Sequence, residues 1–160
     1  MKPTIIQDFY PEETAVCYGC GRSNPHELHV RTAWDGKEGV FRFRPEPHHT
    51  GYPGAVYGGL IASIMDCHCI GTAVGALYQA EARPPGTEPV IRCVTANLNV
   101  SYLRPTPVDA ELFFKSHVKT LHDRKVVVSC SVTANGQECA RGEIVAVRVK
   151  YADEMPGEIT

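Results

Sequence analysis

His49-Thr50-Gly51-Tyr52-Pro53-Gly54-Ala55-Val56-Tyr57-Gly58-Gly59-Leu60-Ile61-Ala62-Ser63-Ile64-Met65-Asp66 is the stretch that decides how this chain folds. A loop punctuated by glycine and proline runs straight into a segment whose large apolar residues fall at Leu60, Ile61, Ile64, Met65, Val74 and Leu77. That spacing predicts a helix from Tyr57 to about Gln79. Ala62, Ser63, Gly71, Thr72, Ala73 and Gly75 occupy its other faces, so neighbouring structure must approach closely and the helix should be buried nearly all round. The N–H groups of its first turn have no partner inside the helix and, with the helix dipole, favour a negative oxygen there. Asp66 sits in the same apolar segment, where a carboxylate is costly unless paired, hydrogen-bonded or used. On periodicity alone, a satisfied buried acid behind a tight helix entry and a reactive acid near an oxyanion site are equally good readings.

Outward from the helix, the signals are those of strands. Residues 28–34 and 39–44 alternate around Asp35-Gly36, a hairpin pattern. After the helix, Val94, Ala96, Leu98, Val100 and Tyr102 form an apolar phase against Thr95, Asn97, Asn99 and Ser101. Residues 108–119 alternate with Ala110, Leu112, Phe114, Ser116 and Val118 on one side, and residues 124–134 and 139–150 flank the hairpin turn Asn135-Gly136. The expected order is β-β-α-β-β-β-β, an α+β domain with a largely antiparallel sheet. Residues 1–27 read as an irregular arm, 28–150 as the domain and 151–160 as a polar tail.

Composition narrows the function. The chain has 160 residues, 43% of them hydrophobic, which suits one domain with a real core. Sixteen basic against 18 acidic residues leave a net charge of −2, with no excess to neutralise a phosphate backbone, so nucleic acid is not an expected partner. Residues 58–77 carry Asp66 and His68 and read as too polar for a membrane span. The first ten residues lack a signal-peptide core, and a cytoplasmic protein is expected. The seven cysteines are odd in number and irregularly spaced, which argues against a disulfide framework.

Three segments together resemble a known family. His49, Gly51, Gly54, Tyr57, Gly58, Gly59 and Asp66 keep the spacing of the pattern His-x-(Asn/Gly)-…-Gly-x-x-His-Gly-Gly-…-Asp. Thr95 to Pro105 is similar to its Asn-x-x-Tyr-x-x-Pro strand, and Cys17-Tyr-Gly-Cys-Gly-Arg-Ser-Asn-Pro25 to the Cys-Phe-Gly-Cys-Gly-x-x-Asn-Pro entry of many bacterial members. The chain thus resembles a hotdog-fold acyl-CoA thioesterase of the phenylacetate-pathway type. The resemblance implies a curved antiparallel sheet wrapped around one central helix, and a homodimer or dimer of dimers with sites shared between chains. It implies hydrolysis of acyl-CoA without a cofactor. Asp66 would be general base or nucleophile, the Gly58 N–H the oxyanion donor, and Thr95 the hydroxyl that places water. Tyr57 stands where the family usually has histidine and would shape the site without titrating near neutral pH. His49, Gly51, Gly59 and Arg104 fall at substrate-binding positions.

Other readings compete. A non-catalytic acyl-CoA or small-ligand binder is suggested by the missing histidine, and a dehydratase or hydratase would need His49 as its acid–base group. Cys17-x-x-Cys20 with His26 and His29 has donors for zinc, but the family-like entry is satisfied without histidines, and no metal is expected. Cys67, His68 and Cys69 point in different directions on a helix, and His68 is expected to be buried or interfacial. Lys115, Lys119, Arg124 and Lys125, with Arg104, are candidates for coenzyme A phosphates or simply a solvated face.

Overall fold

In the computed structural model, which describes residues 2–149, helix α1 (Gly58–Ala80) lies against a seven-stranded antiparallel sheet. The strands in chain order are β1 (Thr4–Ile5), β2 (Ala33–Trp34), β3 (Glu38–Phe43), β4 (Arg92–Tyr102), β5 (Leu112–His122), β6 (Lys125–Ala134) and β7 (Gln137–Val149). Across the sheet they run β1-β2-β3-β5-β6-β7-β4. This is the α+β hotdog architecture that the sequence implied. The polar tail, residues 151–160, lies outside the described residues.

The helix is buried as its residues require. Leu60, Ile61, Ile64 and Met65 face the core, and from Gly71 to Tyr78 every residue is buried. Each large side chain removed from water contributes about 1.5–3 kcal/mol. By length and composition alone α1 is apolar enough to cross a bilayer, contrary to the expectation drawn from Asp66 and His68, but 67% of its most apolar window is buried inside the fold. Against it stand Leu112, Phe114 and Ser116 of β5, alternate residues Val126 to Ala134 of β6, and Ala140, Ile144 and Ala146 of β7.

Three expectations need correction. Of residues 28–34 only Ala33–Trp34 pairs as a strand, because Leu28 and Val30 bury their side chains while their N–H groups bond loop carbonyls of Tyr18 and Gly19. The arm is not wholly irregular: Thr4–Ile5 pairs antiparallel with β2. β5 begins at Leu112, not at residue 108, since Ala110 turns back onto Pro107. The Asp35-Gly36 turn is as expected, with Asp35 Oδ1 accepting the N–H groups of Lys37 and Glu38 at 2.8 and 2.9 Å.

A buried polar network ties these parts together. His68 is fully buried; its Nδ1 lies 3.1 Å from Thr32 Oγ1 and its Nε2 2.9 Å from Ser116 Oγ. Ser116 also meets Thr72 Oγ1 at 2.6 Å, and Gln7 brackets Thr32 through both its amide atoms. Burial holds the imidazole down at about 3, so it stays neutral. His68 is therefore a core histidine joining the arm, the helix and β5.

β4 is different. It pairs with β7 only, among the described residues, and forms a sheet edge of 11 residues. Val94 and Tyr102 remain 38% and 53% exposed on it, while Leu98 and Val100 pack partly buried against the core, so this chain covers only part of the apolar phase read in the sequence.

Candidate active site

Asp66 stands in the middle of α1, half-buried, and Thr95 Oγ1 on β4 donates a hydrogen bond to its Oδ1. Simple alternation would turn Thr95 outward with Asn97, Asn99 and Ser101. The β4–β7 register shifts between Thr95 and Asn97, so that Thr95 lies opposite Ala146 while Leu98 lies opposite Ile144. Directly opposed residues share a face, and both partners are core residues, so the bulge brings Thr95 round to the helix side.

The pair borders a cavity of about 460 Å³ whose walls include Tyr10, Cys17, Cys67, Ile70, Val74 and Ile91. Loss of water in this setting raises the Asp66 pKa above the ordinary carboxylate value; the Thr95 hydrogen bond opposes that rise, and negative charge on nearby Cys17 adds to it. A carboxylate made more basic by burial, with a hydroxyl beside it, can take a proton from water or attack a carbonyl carbon.

Gly58 opens the helix, with Tyr57 as its N-cap in an extended conformation (φ −57°, ψ 125°) and no side-chain cap. Its own N–H belongs to the first turn, where no intrahelical acceptor exists. The Tyr102 hydroxyl donates to the Gly58 carbonyl at 2.6 Å, fixing that peptide against the end of β4. A second cavity, about 430 Å³, lies here, and Gly51, Gly58, Tyr102 and Arg104 all line it. Of the remaining sequence candidates, Tyr57 is 60% exposed, with its ring packed so closely over Gly59 that an added Cβ would fall 2.5 Å from Cε1. His49 serves its loop: Nδ1 accepts the Glu46 N–H at 2.9 Å, and its carbonyl accepts the Tyr57 N–H at 2.9 Å.

The structure thus brings Asp66 to Thr95, and Gly58 to Gly51 and Arg104, but within one chain it does not bring the two groups together. Eight helical residues separate Gly58 from Asp66, about 12 Å along the axis.

Tyr102 and Cys67 are not among the site residues expected from the sequence. A tyrosine closing an apolar strand phase before Leu103-Arg104-Pro105 was the available signal for Tyr102. Nothing in the spacing announces Cys67, which the fold places 3.6 Å from Cys17, sulfur to sulfur. His26 and His29 do not join these thiols; His29 lies 3.1 Å from Glu27. Lys115 and Lys119 pair with Glu38 and Glu143, as a solvated face does.

Residues 53–140 match the family model described as the thioesterase superfamily. Among solved structures, a thioesterase superfamily protein from Shewanella loihica PV-4 is 40% identical, with a TM-score of 0.59 over 79% of this chain and 96% of that one. The E. coli PaaI protein of the phenylacetic acid degradation operon shares 13% identity and a TM-score of 0.63, over 76% of this chain and 80% of that one, a likeness of fold. The acyl-coenzyme A thioesterase THEM4 of Mus musculus is 30% identical over 120 residues, 75% of this chain and 46% of the relative. The chain spans about half the length of the curated relatives it matches.

Proposed function

Since the chain belongs to the thioesterase superfamily, we propose that it hydrolyses acyl-CoA thioesters to the free acid and coenzyme A. The observation that carries this reading is the Asp66–Thr95 pair, a carboxylate of raised basicity bonded to a hydroxyl at the wall of a largely apolar cavity. Water held by Thr95 gives its proton to Asp66 as its oxygen attacks the thioester carbonyl. The carbonyl oxygen becomes an oxyanion facing the Gly58 N–H, where one preorganised donor lowers the barrier by about 3 kcal/mol. Collapse breaks the C–S bond, and the thiolate recovers the proton. Direct attack by Asp66, through a mixed anhydride that water then opens, uses the same groups.

Both groups must reach one carbonyl at about 3 Å, which about 12 Å of helix forbids within a chain. The site is therefore completed by a second copy, with Gly58 from one chain and Asp66 from its partner. The long edge of β4, which carries Thr95 and has exposed Val94 and Tyr102, supports such pairing. Arg104 lines the Gly58 cavity, where its charge suits a coenzyme A phosphate.

Purified protein assayed for thiol release on short, branched, long and aromatic acyl-CoAs tests the reading. Turnover on at least one is expected. Saturable binding without thiol release would identify a non-catalytic acyl-CoA binder instead, the reading that Tyr57 in place of histidine favours.

A further inference from the structure

We propose that Cys17, Cys20 and Cys67 form a zinc site, with the fourth position left to a donor from solvent or from a small ligand in the cavity that Asp66 lines. The three sulfurs lie within 4.8 Å of one another, and Cys17 and Cys67 are 3.6 Å apart. Zinc–sulfur bonds of about 2.3 Å in a tetrahedron put sulfurs about 3.8 Å apart, so small side-chain adjustments suffice. A disulfide needs about 2.05 Å and would have to draw one pair together at the expense of the third thiol.

The backbone is shaped around the thiols. Gly21 N–H bonds the Cys17 carbonyl at 2.8 Å and closes the Cys-x-x-Cys turn, while Gly19 N–H donates to Cys17 Sγ at 3.3 Å. Glycine at position 19 leaves room for the third thiol, since an added Cβ would fall 2.3 Å from Cys67 Sγ and displace it. Three sulfur donors select zinc over magnesium or calcium. A separate observation points to a polar occupant. Tyr10 Oη and Arg92 Nε are the buried side-chain polar atoms without a partner among the described residues, and both residues line this same cavity.

The expectation of no metal considers Cys17-x-x-Cys20 together with His26 and His29, whereas the third donor of the proposed site lies on the helix, 50 residues from Cys17. A bound ion would clamp the arm to α1 immediately beside Asp66. The inference is independent of the hydrolase reading.

The test uses the full chain, freed of metal under reductant and titrated with cobalt(II), then zinc. One equivalent of cobalt should give thiolate-to-metal charge-transfer bands and strong visible bands of tetrahedral geometry, erased by one equivalent of zinc. Cys67→Ser should lose these bands and bind zinc at least ~10-fold more weakly, while Cys139→Ser keeps both. Zinc should also raise the melting temperature of the wild type and not of Cys67→Ser. If Cys67→Ser does not fold, Cys20→Ser takes its place. Absence of stoichiometric binding by the wild type, or unchanged binding by the ligand variant, would overturn the proposal.

Discussion

Thr95 meets Asp66 because β4 slips by one residue between Thr95 and Asn97. Without that bulge the hydroxyl would share the outer face with Asn97 and Asn99, and Asp66 would lose the partner that opposes its desolvation. A local irregularity of one strand thus places the second member of the proposed catalytic pair.

Asp66→Asn should fold as the wild type does and lose at least ~100-fold in kcat, because an amide neither accepts the water proton nor attacks the carbonyl. Steady-state thiol release, with circular dichroism as the folding check, measures it. Near-wild-type turnover would remove the mechanism.

Thr95→Ala should lower kcat by about 10- to 150-fold, in line with the 1.5–3 kcal/mol of a hydrogen bond to a charged group. Thr95→Ser keeps the hydroxyl and should stay close to wild type. Equal losses in both variants would mean that the methyl group matters and the hydrogen bond does not.

Tyr102→Phe removes the donor to the Gly58 carbonyl while keeping the ring that lies against Gly58. Loss of about 1 kcal/mol of positioning predicts a roughly fivefold fall in kcat with the melting temperature little changed. An unaltered kcat would show that the first helical turn holds its geometry without this phenol.

His68→Leu leaves Ser116 and Thr32 each short of a buried partner. A cost of about 2 kcal/mol, or roughly 4–8 °C in melting temperature, should follow, with turnover at low temperature retained. A thermal melt that matches wild type would contradict the structural role given to this network.

Much of this was legible in the sequence, and the reasons for the exceptions are physical. The helix was readable because burial on nearly every face leaves a long apolar run with small residues between. Its boundaries agree to within about a residue, Gly58–Ala80 against Tyr57 to about Gln79. The β6–β7 hairpin was readable from Asn135-Gly136, since Asn135 at φ 51° and Gly136 at φ 74° adopt the left-handed backbone that such a turn demands. The face of Thr95 was not readable, because a bulge inverts the parity of every residue beyond it. Nor was β1, a two-residue strand held by pairing and by Gln7 and not by its own pattern. The thiol cluster was hidden for a third reason: Cys67 is far from Cys17 in sequence and sits on a helix, where neighbours along the chain diverge.

The most direct measurement of the central claim is complementation between two inactive variants. Asp66→Ala removes the carboxylate, and Gly58→Pro removes the oxyanion N–H at a position in the first turn that tolerates proline. Each homodimer should be inactive. In a mixed dimer one composite site carries both defects and the other carries neither. Equal mixing with full subunit exchange should therefore restore about a quarter of wild-type activity, since half the dimers are mixed and each has one intact site of two. Demonstrated exchange with no return of activity would contradict a site shared between Gly58 of one chain and Asp66 of its partner.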